Sequence, residues 1–173
     1  VPDYYELNRW RTVDDAAAGL VATREQQLRD LGVPEPEWGR VLTQASLVER
    51  EGLIPANMPL VASVIQNRLD QGMNLDLNST VLFATRDQGP LISSTDRDID
   101  SPYNSYRYKG LPPGPIGSPS ETAIKSVLSP AEGEWLYFVI VDLTTAEIRV
   151  APDLETHLEN LAVLDSWYES HGG

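Results

Sequence analysis

The stretch Leu42-Thr43-Gln44-Ala45-Ser46-Leu47-Val48-Glu49-Arg50-Glu51 places two carboxylates in one turn of a helical pattern. With Leu42 at zero and about 100° per residue, Val48, Val41 and Ala45 fall at about −120°, −100° and −60°, and Glu49 at about −20°. Glu49 thus enters the apolar arc, whereas Glu51 falls at about 180°, beside Arg40 and Gln44, where a solvated charge belongs. A carboxylate carried into apolar surroundings resists ionisation. Its pKa rises, and it can hold a proton near neutral pH as a general acid must. The competing reading is that Glu49, close to Gly52 and Pro55, bends out of a frayed helix end into water.

Other chemistries find little support. The chain has no cysteine, which excludes disulfides and thiolate metal sites and fits either side of a membrane. His157 and His171 are the only imidazoles, the second in a glycine-ended tail, so neither a histidine metal site nor a serine-histidine triad is indicated. No metal or cofactor is expected. With 13 basic and 26 acidic residues the formal charge is −13, and the basic residues form no stripe. Nucleic acid and anionic membrane surfaces are therefore poor partners. No apolar run approaches the ~20 residues of a membrane span, and no signal peptide is visible. A start at Val1 rather than Met fits the soluble part of a longer protein.

The 173 residues are most simply one domain, long enough to bury roughly 70% of the surface of the unfolded chain. Residues 1 to 8 read as an extended lead-in. Thr12-Val13-Asp14-Asp15 starts an alanine-rich helix through about Leu31, which Gly32-Val33-Pro34-Glu35-Pro36 breaks. The helix carrying Glu49 runs from about Glu37 to Glu51. After Pro55 and Pro59, a helix over Leu60–Leu69 is apolar around most of its circumference and belongs in the core. Its polar strip, Ser63, Gln66 and Asn67, either satisfies buried neighbours or looks into the cleft of Glu49. From Gly72 to Asp100 the pattern is mixed, with a short strand or turn near Leu75–Leu77 and a short helix near Thr80–Thr85.

Tyr103-Asn104-Ser105-Tyr106-Arg107-Tyr108 then precedes Gly110-Leu111-Pro112-Pro113-Gly114-Pro115-Ile116-Gly117, which can be neither helix nor central strand and reads as a stiff, ordered loop. Ser118-Pro119-Ser120-Glu121 starts a helix to about Leu128, with Ser118 as N-cap and Pro119 at its first position. Trp135–Asp142 is strand-like, with Glu147–Val150 as its hairpin partner. A last helix covers about Leu154–Tyr168. The expected class is α+β: a helical core carrying the glutamate, with a small antiparallel sheet at one side.

Tyrosines, an asparagine and a proline-stiffened loop around one protonatable glutamate suit a groove for a glycan, where aromatic faces pack on sugar rings and amides bond hydroxyl and N-acetyl groups. A glycosidase ordinarily needs two carboxylates. Asp76, Asp98, Asp100 and Asp142 are candidates for the second, but no spacing sets any of them opposite Glu49. One carboxylate suffices where the substrate supplies its own nucleophile. In murein the C6 hydroxyl of muramic acid can close onto C1, giving a 1,6-anhydro product without water.

Several motifs resemble the YceG-like, or MltG, family of endolytic murein transglycosylases. Pro2-Asp3-Tyr4-Tyr5-Glu6 resembles the end of the family's "FPDTY", and Ala45-Ser46-Leu47-Val48-Glu49-Arg50-Glu51 resembles "ASIVEKE". Ala62-Ser63-Val64 with Asn67-Arg68-Leu69 resembles the following helix and its "NRL" ending. Tyr103-Asn104-Ser105-Tyr106 and Gly110-Leu111-Pro112-Pro113-Gly114-Pro115-Ile116 resemble "YNTY" and "GLPPGPI", the most specific pairing, and Tyr137-Phe138-Val139 resembles a late strand. Two departures stand out: Asn78-Ser79-Thr80-Val81 replaces "DPTV", losing a carboxylate and a proline, and His157-Leu158 replaces "HN".

The resemblance implies a single catalytic domain over residues 1–173, separate from the membrane anchor and LysM-like module of the family. It implies an endolytic lytic transglycosylase cutting the MurNAc-GlcNAc β-1,4 bond of nascent glycan, with the first glutamate of the motif, Glu49, as acid and then base. Asn104, Asn67, Tyr106, Tyr103 and Thr80 are the expected substrate-binding residues, their alternative being core or loop structure. Implied partners are peptidoglycan strands and the cell-wall synthesis machinery with its penicillin-binding proteins, at the outer face of the bacterial cytoplasmic membrane. The contrasting reading is a non-catalytic peptidoglycan-binding or assembly module.

Overall fold

A computed structural model of the chain describes residues 12–86 and 96–172. The lead-in expected over residues 1 to 8, with its Pro2–Glu6 motif, lies outside the described residues. Six helices and one hairpin follow in order: α1 (Val13–Asp30), α2 (Trp38–Gly52), α3 (Met58–Asp70), α4 (Asn78–Thr85), α5 (Glu121–Leu128), β1 (Tyr137–Asp142), β2 (Glu147–Ala151) and α6 (Leu154–His171). The class is α+β, as the alternation of helical and strand patterns predicts.

α2 is the central element, packed by α3, α5 and α4. Its buried residues, Val41, Thr43, Gln44, Ala45, Ser46, Leu47, Val48 and Gly52, run around nearly the whole circumference. The apolar arc read from sequence is thus only part of a helix enclosed on several sides. α2 stops at Gly52, where a Cβ would lie 2.9 Å from Met58 Cγ. The Asn57 amide donates to Gly52 O at 3.0 Å and to Ala146 O at 2.8 Å, tying the α2–α3 junction to the tip of the hairpin.

β1 and β2 pair antiparallel from Tyr137 with Ala151 to Asp142 with Glu147, with an irregularity between Ile140 and Asp142. Asp142 Oδ1 accepts from the N–H groups of Thr144 and Thr145 and shapes the turn. α6 covers the hairpin, and β1 reaches α3.

Two local expectations change. Leu75–Leu77 forms neither strand nor turn. α5 is capped by Ser120, whose hydroxyl accepts from Ala123 N–H at 3.2 Å, and not by Ser118. Two serines flank Pro119, and the second also meets Glu49. Of the two readings of the α3 polar strip, the structure shows satisfied neighbours: Ser63 and Asn67 donate to Gly133 O, Asn67 also to Trp135 O, and Gln66 bonds the side chains of Gln44 and Asp70. The Gly-Pro loop is an ordered lining of the core, with Pro112 and Ile116 buried and Ile116 N–H donating to Ser46 Oγ at 3.0 Å.

Candidate active site

The last turn of α2 sends its two glutamates to different helices. Glu49 Oε2 accepts from Ser120 N–H at 3.0 Å and Ser120 Oγ–H at 2.6 Å, at the start of α5. Both donors come from the residue that caps α5, so the bonds join two core helices. Glu51 Oε1 accepts from Ser79 N–H at 3.3 Å, in the first turn of α4. Its carboxyl is enclosed, and burial pushes its pKa up from 4.5, while hydrogen bonding from Ser79 and the Arg50 charge pull the other way. The wheel therefore misplaced Glu51: it turns into a groove and not into open solvent.

That groove, a cavity of about 580 Å³, is walled by Glu51, Arg68, Asp76, Asn78, Tyr106, Tyr137 and His157, with Leu154, Leu158 and Leu161 of α6 along one side. Arg68 organises the floor. Its guanidinium donates to Leu136 O, Asn74 O and Leu75 O at 2.6, 3.2 and 2.9 Å, reaches Asp76 Oδ2 at 3.4 Å, and lies 5.1 Å from the ring centre of Tyr137. The His157 ring stacks on Tyr137 at 5.1 Å. Burial lowers the His157 pKa, helped by the charge of Arg68, so its imidazole is neutral at pH 7. Its Nδ1 is buried with no hydrogen-bond partner among the described residues. Tyr106 donates its hydroxyl proton to Asn78 Oδ1 at 2.6 Å, and Arg97 lies 4.9 Å from the centre of its ring. Burial raises the phenol pKa, so Tyr106 stays a donor.

The residues expected to bind substrate separate. Tyr106 shares the groove with Glu51. Asn104 is fully buried, donates to Arg97 O and Ile99 O, and accepts from Tyr106 N–H, so its amide organises its own loop. Thr80 is equally buried and bonds Leu77 O and Ser105. Asn67 lines a different depression, with Asp70 and Glu134. Tyr103 packs on Phe83 at 4.8 Å and faces a second cavity. Among the candidate second carboxylates, Asp76 lines the groove. Asp100 instead bonds Tyr108, and Asp142 holds the hairpin turn.

The sequence matches the profile of the YceG-like family over residues 1–163. This chain belongs to that family. It is 35% identical over 175 residues to the endolytic murein transglycosylase of Streptococcus pneumoniae, a match covering 93% of this chain and 31% of that protein. It is 39% identical over 100 residues to the endolytic murein transglycosylase of Bacillus subtilis, covering 58% of this chain and 28% of that one. The chain thus spans about a third of the length of these curated relatives. A crystal structure of a YceG-like protein from Listeria monocytogenes superposes with a TM-score of 0.68 at 29% identity, over 83% of this chain and 45% of that one. The described residues contain no helix long and apolar enough to cross a membrane and no cluster of three or more metal-ligating side chains.

Within the YceG-like fold, the residues that sequence reasoning missed are Glu51, Arg68, Asn78, Tyr137 and His157. Arg68 belongs to the "NRL" match and His157 to the "HN" match, so both were visible as motif letters. Their convergence on one groove depends on α6 folding back over the hairpin.

Proposed function

We propose that this YceG-like domain is the catalytic part of an endolytic lytic transglycosylase acting on peptidoglycan, with Glu51 as its acid and base. The observation that carries the proposal is the Glu51 carboxyl, enclosed in a tyrosine-lined groove with its pKa raised by burial. A carboxyl that retains its proton can protonate the glycosidic oxygen as the MurNAc-GlcNAc bond breaks. The resulting carboxylate can then take the proton of the MurNAc C6 hydroxyl as that oxygen closes onto C1, leaving a 1,6-anhydro end and a protonated acid ready for another cycle. The Ser79 N–H, at the positive end of α4, supports the carboxylate in the intervening step. Glu49, the expected acid, has its carboxylate engaged by the two Ser120 donors, and the role moves two residues along the helix.

Tyr106, Asn78, Tyr137 and His157 form the walls that would hold sugar. The full-length protein is placed by the same proposal at the outer face of the cytoplasmic membrane, beside the penicillin-binding proteins whose nascent strands it would terminate. The names of the pneumococcal and Bacillus relatives support the peptidoglycan substrate and the transglycosylase activity.

The test is incubation with polymeric murein and mass spectrometry of the new ends. Anhydro ends that vanish in Glu51→Gln and persist in Glu49→Gln support the proposal. Reducing ends would assign a hydrolase, with Asp76 as the carboxylate to examine next. No cleavage by an extended chain would leave a binding module, and anhydro ends from Glu51→Gln would remove Glu51 from the reaction.

A further inference from the structure

A second cavity, of about 740 Å³, adjoins the site and is walled by Arg50, Ser79, Leu82, Phe83, Ala84, Arg86, Ser101, Tyr103 and Ile116. Ser79 connects the two. Its N–H bonds Glu51 in the wall of the first cavity, while the residue itself lines the second. Whatever occupies the second cavity lies next to the carboxyl proposed to do the chemistry.

The charge of this cavity is out of keeping with the chain. In a protein of net charge −13, cations are few and mostly engaged. Arg29, Arg40, Arg68, Arg107 and Arg149 pair with carboxylates, Arg24 bonds Pro119 O, and Arg97 covers Tyr106. Arg50 and Arg86 make no ion pair or side-chain hydrogen bond among the described residues, and both line this one cavity. Each ends a helix, where the dipole favours a cation. That preference explains each charge separately but not their convergence. A Phe83–Tyr103 ring pair forms an apolar surface at the same wall. Two guanidinium groups outside any ion pair among the described residues and an aromatic face describe a receptor for a carboxylate carried on a partly apolar stem.

We propose that this cavity binds the carboxylate-bearing peptide stem of the murein strand whose glycosidic bond lies at Glu51. The identity of the ligand rests on the murein reading above; the anion site itself does not. The chain would then distinguish stem-bearing from denuded glycan, and the short range of the contacts lets an acidic protein hold an acidic polymer at one defined place.

The test is binding, not cleavage. N-acetylmuramoyl-L-alanyl-D-glutamate, chitotetraose and inorganic phosphate are titrated by NMR into the unmodified domain, Arg50→Ala, Arg86→Ala, Arg86→Lys and the Arg50→Ala/Arg86→Ala pair. The muropeptide should bind more tightly than phosphate. Each alanine variant should weaken muropeptide binding about tenfold, with lysine restoring part of the loss, while chitotetraose binding changes little. Higher ionic strength should erode the muropeptide preference alone. Equal muropeptide affinity in the paired variant overturns the proposal. Phosphate binding as tight as that of the muropeptide would assign a general anion site and overturn the stem. Since the readout needs no turnover, an arginine-dependent preference without anhydro ends would count against the transglycosylase reading and leave this one standing.

Discussion

Glu49 and Glu51 leave the same turn of α2, and each meets the first turn of another helix, yet their surroundings make them chemically different groups. At α5, Glu49 receives both an N–H and an O–H from Ser120 and forms a helix-to-helix joint. At α4, Glu51 meets the Ser79 N–H at 3.3 Å with the Ser79 side chain beside it, and burial still favours the neutral form. A helix N-terminus by itself does not decide whether a carboxylate is a strut or an acid. At Glu51 the enclosure outweighs the donors that meet the carboxyl.

The comparison can be broken most directly by exchanging the roles. Glu51→Gln is expected to lower production of anhydro ends by about 10²–10⁴-fold, the range for loss of a general acid, while the fold is retained. Comparable loss in Glu49→Gln with an unchanged melting temperature would defeat the distinction. Glu49→Ala should act on stability. Removing two charge-assisted bonds is expected to cost about 2–3 kcal/mol, read as a fall of about 4–10 °C in melting temperature, with chemistry at Glu51 preserved in the folded fraction.

A third measurement uses pH. Because the folded pKa of Glu51 lies above 4.5, the unfolded chain releases this proton first as pH rises. Between about 4.5 and the raised folded value the native state binds more protons, so this group makes stability fall with rising pH. Glu51→Gln should therefore gain stability relative to the unmodified chain across that window, measured as denaturation midpoints at several pH values. A constant difference would show that Glu51 titrates as an ordinary surface carboxylate. The smallest effect is expected from Tyr106→Phe, which removes the bond to Asn78. Substrate KM should rise about threefold to tenfold with kcat little changed, consistent with loss of one hydrogen bond of ~1 kcal/mol.

The helices were legible where capping residues and periodicity agreed. Thr12 caps α1 through Asp15 N–H, Asp153 caps α6 through Thr156 N–H, and Pro34 and Pro55 separate the segments around α2. The hairpin was legible from the aromatic and β-branched run at Tyr137–Asp142. The orientation of α2 was not. A helical wheel assumes one wet and one dry side, and α2 has packed neighbours on several sides, so the polar Gln44 and Ser46 are as buried as Val41 and Ala45. The motif containing Glu49 and Glu51 located the site, and only the positions of α4 and α5 assign the two carboxylates. Asn104 and Thr80 misled for a related reason: a polar side chain in a conspicuous motif satisfies loop backbone as readily as it binds a ligand.

The Asn57 amide, which holds Gly52 O on one side and Ala146 O on the other, gives the hairpin an unexpected standing. Exposed hairpin tips are ordinarily the places where chains accept insertions and tags without harm. This tip is fastened to the residue that follows Glu51. Lengthening Leu143–Ala146 would loosen the end of α2 itself, so a change of length at this surface turn would reach a carboxyl in a different part of the fold.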